Sequence, residues 1–244
     1  MKKVIVSHKK ASRVTTPKYV KDCAICVPES QKEEYEKYND VEIITHPDSV
    51  VGLSPKRQWI VDNIGDCFQL DDDIIGVHRV YTPAKYHKTK LEANEISDYI
   101  DDLYHLCLEN KFYLFGFNRT SSPVGFTGAE PITFNKYITG GAFGLIKTDE
   151  LFFPDYPTFV GEDYWISALN AHFHRRSFID QRIAFSFANT EANTGGVADY
   201  RTEQKRKKTY LYLKKHFGNA IIPKKVTPLK KSIMKYEKTL KIPY

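Results

Sequence analysis

Three consecutive aspartates, Asp71-Asp72-Asp73, stand between Leu70 and Ile74 at the end of the apolar run Cys67-Phe68-Gln69-Leu70. Carboxylates so placed repel one another, and burying them is costly unless a cation or hydrogen-bond donors share the space. The run reads as a buried strand over residues 66–70 that delivers the acids to a sheet edge. In extended chain Asp71 and Asp73 project to one side and Asp72 to the other. Hard oxygen ligands on one edge suit Mg2+ or Mn2+, which keep part of their water shell and bind phosphate oxygens as well. Asp71 and Asp73 are the expected metal ligands. The competing reading is an acidic turn that caps the next segment.

The flanking pattern gives the strand a context. Residues 4–6, 23–27 and 41–45 are further strand candidates, and helices are expected at 31–38 and 56–63. Ser54-Pro55 is the expected start of the second helix, because Ser caps well and Pro suits the first turn. Residues 7–18 are polar and read as a loop. Alternating strands and helices predict an α/β fold with a mixed, mainly parallel sheet and flanking helices. In such sheets ligands bind beyond the carboxyl ends of the strands, where the aspartates lie.

Further along, helical spacing covers 91–110 and strands are expected at 112–117, 139–146 and 183–187. A helix opened by acids covers 163–173. Residues 189–200 are small and polar, a loop by composition that either folds over a bound donor or simply connects. A basic helix over 202–216 ends at Gly218. The expected organisation is a catalytic domain over 1–200 and a basic helical extension over 201–244, packed on it or flanking it.

Charge is distributed to match. Residues 201–244 carry 14 Lys and Arg against Glu203 and Glu237, a net of +12, which leaves −6 for residues 1–200 of a chain at +6 overall. A basic tail on an acidic body fits a polyanionic partner, nucleic acid or an anionic membrane, though a solvated lysine face is the plain alternative. The candidate nucleic-acid contacts are Lys205, Arg206, Lys207, Lys208, Lys214 and Lys215, interleaved with Tyr210 and Tyr212. The four cysteines include Cys23-x-x-Cys26, but on a strand those two face opposite ways, so core thiols are expected rather than a zinc site. No apolar stretch reaches the length of a membrane span, and the N-terminal residues lack a signal-like apolar region. A cytoplasmic location is the expectation.

A second acidic element follows at Gly161-Glu162-Asp163. Two carboxylates opening a helix suit its positive end. In a functional reading one of them, Asp163 first and Glu162 second, takes the proton from an acceptor hydroxyl. Upstream, Gly140-Gly141-Ala142-Phe143-Gly144 lets backbone approach a ligand closely, with Gly141 the expected contact.

These elements together resemble the nucleotide-sugar glycosyltransferases of the GT-A fold, which have a Rossmann-type sheet. The resembling elements are a leading strand, Leu70-Asp71-Asp72-Asp73-Ile74, the Gly140–Gly144 strand and the Gly161-Glu162-Asp163 helix. More narrowly, Ser12-Arg13, Val27-Pro28-Glu29 and Lys56-Arg57-Gln58-Trp59-Ile60 are similar to the DNA glycosyltransferases of phages and kinetoplastids, a group that includes the TET-associated phage enzymes and the base J glucosyltransferase. The resemblance spans about residues 4–187. It implies a metal-dependent transfer of a hexose from a UDP-sugar, UDP-glucose first, to a hydroxymethylated pyrimidine in DNA. It also implies that Asp73 ligates Mn2+ or Mg2+, that Asp71 or Asp72 meets the ribose or a metal-bound water, and that Arg13, Lys56 and Arg57 meet the nucleotide or its diphosphate. Asp163 would be the base. GT-A enzymes often take a further metal ligand, commonly His, from a later segment, and His172, His174 and His216 are available.

Two rival readings stay open. One keeps the chemistry and changes the acceptor to a polysaccharide, lipid or protein. The other makes the chain an inactive nucleic-acid-binding module.

Overall fold

The computed structural model describes residues 1–81, 89–122, 126–188, 202–224 and 236–242. The loop expected at 189–200 and the lysines at 225, 230 and 231 lie outside the described residues. The first half builds β1 (Lys2–Val6), β2 (Cys23–Pro28), α1 (Lys32–Tyr38), β3 (Glu42–His46), α2 (Leu53–Ile64), β4 (Cys67–Asp71) and β5 (Ile74–Arg79). Then come α3 (Ala93–Glu109), β6 (Leu114–Asn118), β7 (Ile132–Thr133), β8 (Ala142–Leu145), α4 (Glu162–Phe173) and β9 (Phe178–Phe187). The chain closes with α5 (Glu203–Phe217), β10 (Ile221–Pro223) and β11 (Lys238–Leu240).

Among the described residues nine strands form one sheet in the order β3-β2-β1-β4-β8-β6-β9-β5, with β7 paired to β9. Strands β1, β2, β3, β4, β6 and β9 run one way and β5, β7 and β8 run the other. This is the mixed, mainly parallel α/β sheet that the strand–helix alternation predicts. Side chains alternate across it. Ile5, Phe68 and Leu70 join the core under α1 and α3, while Val4, Val6, Cys67 and Phe143 join the core under α2, α4 and α5. Cys23 and Cys26 fall in opposite cores, as strand geometry requires. All four thiols are free and buried, and burial pushes Cys23 and Cys26 up to about 11 and Cys67 up to about 12.

Several expected boundaries move. Strand β9 begins at Phe178 instead of 183, and β5 follows the aspartates at once, where no strand was expected. Helix α2 opens at Leu53 with Gly52 before it, so Ser54 is not its cap; the Ser54 hydroxyl donates to Pro154 O at 2.6 Å. The C-terminal extension is not purely helical. Helix α5 is followed by the antiparallel pair β10–β11, and Leu213, Ile221 and Leu240 bury themselves in the same core as α4. No helix among the described residues is long and apolar enough to cross a membrane.

Candidate active site

Parallel strands β2 and β3 lie to one side of β1, and β4 lies on the other. The chain thus changes direction between β1 and β4, and the carboxyl ends of those two strands border a crevice of the kind that receives ligands. Asp71 is the last residue of β4, its N–H held by Gly141 O at 2.8 Å. Asp72 and Asp73 form the turn into β5. The extended alternation expected through all three acids therefore stops at Asp71, and each carboxylate has its own surroundings.

Asp72 points back toward β1. It is 4% exposed and accepts from Ser7 Oγ at 2.5 Å and Lys10 Nζ at 2.9 Å. Ser7 Oγ also bonds Tyr35 OH at 2.7 Å, and Lys56 Nζ donates to Ser7 O at 2.6 Å. Both Asp72 oxygens thus serve the protein's own donors. Asp73 is buried, and its carbonyl accepts from Ala188 N at 2.8 Å, just past the end of β9. The loop after β1 is laced to this turn, with Thr16 Oγ1 donating to Asp71 O at 2.6 Å and Thr15 Oγ1 to Ile74 O at 2.7 Å.

Asp71 faces α2. Arg57, fully buried, donates from Nη2 to Asp71 Oδ1 at 3.0 Å and to Gly140 O at 2.7 Å, and from Nη1 to Gln69 Oε1 at 3.0 Å. Its guanidinium also lies over the Phe143 ring at 5.1 Å. The guanidinium thus joins Asp71, Gln69 and Gly140. Lys56 is buried as well, next to Cys26 and Asp72, and burial holds its ammonium down at about 8. Neither cation faces solvent. Arg13 sits exposed in a 3-10 turn, Ala11–Arg13.

The second acidic element arrives from α4. Asp163 Oδ1 accepts from Tyr164 N at 2.8 Å, and Glu162 Oε2 accepts from Gly161 N at 2.9 Å. Gly140 marks where the parts converge. A methyl group added there would meet Glu162 Oε1 at 3.3 Å, Asp163 Cβ at 3.6 Å and Arg57 Nη2 at 3.9 Å. Gly141 is small for another reason: a methyl group there would meet the Phe187 ring at 2.4 Å. Packing against β9 accounts for this glycine.

Crowding raises two of the acids. Partial burial in the crevice pushes Asp71 up to about 7, opposed by Arg57 and helped by Asp73, Asp72 and Glu162. Burial pushes Asp163 up to about 7 too, helped by Glu162 and opposed by the Tyr164 N–H, Lys238 and Arg57. Carboxylates raised by burial and by like charge are the mark of a site that handles protons or cations.

The histidines go elsewhere. His172 and His216 line an apolar cavity of 890 Å3 beside α4, with Trp165, Tyr212 and Phe217. His174 packs on the Tyr113 ring at 4.3 Å. Among the described residues no group of three His, Cys, Asp or Glu side chains gathers to hold a metal. Of the basic residues on α5, Lys207, Lys208 and Lys215 are exposed, while Lys205, Arg206 and Lys214 are half-buried, and Lys214 Nζ donates to Ile221 O at 3.2 Å. Sequence reasoning missed Ser7 and Lys10, which hold Asp72, Gln69, which holds Arg57, and Lys238, which comes against the start of α4 from β11.

Comparison with known proteins gives this arrangement its class. A glycosyltransferase family model matches residues 1–184, so the chain is a glycosyltransferase. It belongs to the TET-associated glycosyltransferase family. The match ends within β9 and leaves α5, β10 and β11 outside it. Among solved structures, the crystal structure of S. aureus TarS 1–349 has a TM-score of 0.46 at 11% identity, with 90% of this chain and 73% of that chain covered. No curated protein matches the chain.

Proposed function

We propose that this glycosyltransferase moves a hexose from a UDP-sugar, UDP-glucose first, to the hydroxymethyl oxygen of a modified pyrimidine in DNA. The observation that carries the reading is the meeting of Asp71, Glu162 and Asp163 around Gly140 and the buried Arg57.

Mg2+ or Mn2+ fits the donor set. Asp71 and Asp73 supply hard oxygens in a region of excess negative charge, and such ions are commonly held by one or two carboxylates plus substrate phosphates. The ion, when bound, would neutralise charge growing on the departing diphosphate. The remaining steps belong to the chain. Arg57 fixes the Asp71 carboxylate and the Gly140 carbonyl, so the crevice is shaped before the donor enters. Asp163 accepts the proton of the attacking hydroxyl, and its raised proton affinity suits a base working near neutrality. Exposed Lys207, Lys208 and Lys215 on α5 lie on the element packed against α4 and supply sequence-independent attraction for phosphates. A location in the cytoplasm goes with a DNA acceptor.

The test is sugar incorporation into hydroxymethylated duplex from a panel of nucleotide sugars with Mn2+. Incorporation that ordinary duplex does not support is expected; none with any common donor would refute the DNA acceptor.

A further inference from the structure

The C-terminal pair β10–β11 lies beyond the matched family region, yet it reaches the N-terminal turn of α4. Its strands pair Ile221 with Leu240 and Pro223 with Lys238, and Lys241 N donates to Ala220 O at 2.8 Å. Helix α5 supports the pair. At Gly161, the residue before α4, an added methyl group would meet Thr209 Cγ2 at 3.1 Å, Leu213 Cδ1 at 3.3 Å and Lys238 Cε at 3.7 Å. Tyr164 fastens the strand from the other side: its hydroxyl donates to Lys238 O at 3.0 Å, and Lys238 Nζ lies 4.6 Å over its ring. The Tyr164 ring in turn stacks on Tyr137 at 5.2 Å.

A cation there is out of place by helix electrostatics alone. The N-terminus of α4 carries positive partial charge and favours anions. Burial also disfavours the Lys238 ammonium, and Asp163 and Glu162 head the groups that hold it charged. Lys238 thus lies against Gly161 and Tyr164, the residues that bracket Glu162 and Asp163, and those two acids converge on Gly140.

We propose that Lys238 is a positioning residue of the active site, its half-buried ammonium set beside the N-terminus of α4 to favour the carboxylate of Asp163 that faces the acceptor. The extension after β9 is then part of the catalytic unit. The charged groups around Asp163 are Glu162 on its own helix, Arg57 from α2 and Lys238 from β11; those around Lys238 also include Glu237, just before its strand, and Arg206 from α5. The inference rests on the reading of Asp163 as the base.

The test pairs K238M with K238R and reads two quantities. In the absence of substrate, carbon-detected NMR follows the titration of Asp163. With UDP-glucose, Mn2+ and hydroxymethylcytosine duplex, kcat/KM is measured from pH 5.5 to 9. Losing a neighbouring cation raises the acid's proton affinity, so the Asp163 titration and the rising limb of activity move up together in K238M. A shift of about one pH unit lowers kcat/KM about tenfold on the acid side and leaves the alkaline plateau within about twofold. K238R restores both. An unmoved Asp163 titration, or a loss equal at every pH, overturns the proposal. If K238M does not fold, K238Q carries the same readings. Wild-type protein that transfers no sugar to DNA defeats the acceptor reading instead, and the NMR titration still decides the role of Lys238.

Discussion

Arg57 donates to Asp71 across 3.0 Å from a position that water does not reach, while the Asp71 side chain keeps 41% of its surface open. One end of the pair is sealed in the core and the other looks into the crevice. That asymmetry lets the fold set the direction of a carboxylate without covering it. The same guanidinium holds Gln69 and Gly140, so β4, the approach to β8 and α2 are joined at one side chain.

Replacing Arg57 with Met should therefore cost both folding and activity. Three hydrogen bonds end and Asp71 loses its cation, a loss of about 1–3 kcal/mol once the exposure of Asp71 is allowed for. Arg57→Lys keeps the charge but cannot reach all three acceptors, and its activity should stay well below that of the wild type. Urea unfolding and initial rates measure the two effects. Wild-type stability and rate in R57M would remove Arg57 from the account.

Asp163→Asn should lower kcat by about 10²- to 10⁴-fold, the range for a lost general base, and leave the donor KM nearly unchanged. In the wild type the base is active when ionised. With Asp163 raised to about 7, kcat/KM should climb tenfold per pH unit below that value and level off above it. A flat profile from pH 5.5 to 8 argues for a different base.

Gly144→Ala should destabilise the sheet. The new methyl group would stand 2.0 Å from the Phe115 ring, and overpacking of this kind costs about 1–3 kcal/mol. Adding Phe115→Leu vacates that space, so the double variant should recover part of the loss in thermal unfolding. Independent, additive effects would contradict the packing of Gly144 on that ring.

Removing the exposed lysines of α5 together (K207A, K208A, K215A) should weaken DNA binding without altering donor hydrolysis. The slope of log K against log salt should become shallower by about 0.9 for each phosphate that the protein no longer neutralises. An unchanged slope would move the acceptor surface off α5.

Much of the fold was legible because its signals are local. The apolar runs at β1, β2 and β4 and the triple aspartate could be read residue by residue, and they identified the sheet edge that matters. Strand β5 was missed because Ile74-Ile75-Gly76-Val77-His78-Arg79 mixes apolar, polar and glycine residues without clean alternation. Strands β10 and β11 are three residues each, too short to signal a strand, and pair with each other beside α5. The roles of the cations were the least visible. Lys56 and Arg57 read as contacts for the nucleotide or its diphosphate; their burial comes with partners, Ser7, Gln69, Asp71 and Gly140, that are spread along the chain. Lys238 sits in a lysine-rich stretch where nothing marks one residue from its neighbours, and only the folded chain brings it to Asp163.

The most direct test of the central claim is release of nucleotide diphosphate from UDP-glucose and related donors, with Mn2+ or Mg2+, with and without hydroxymethylated duplex, in the wild type and in Asp73→Ala. The account predicts metal-dependent release that the duplex stimulates and that Asp73→Ala reduces by at least about 10²-fold, the size of losing one preorganised charge-stabilising group. Release that needs no metal and survives in Asp73→Ala would contradict it.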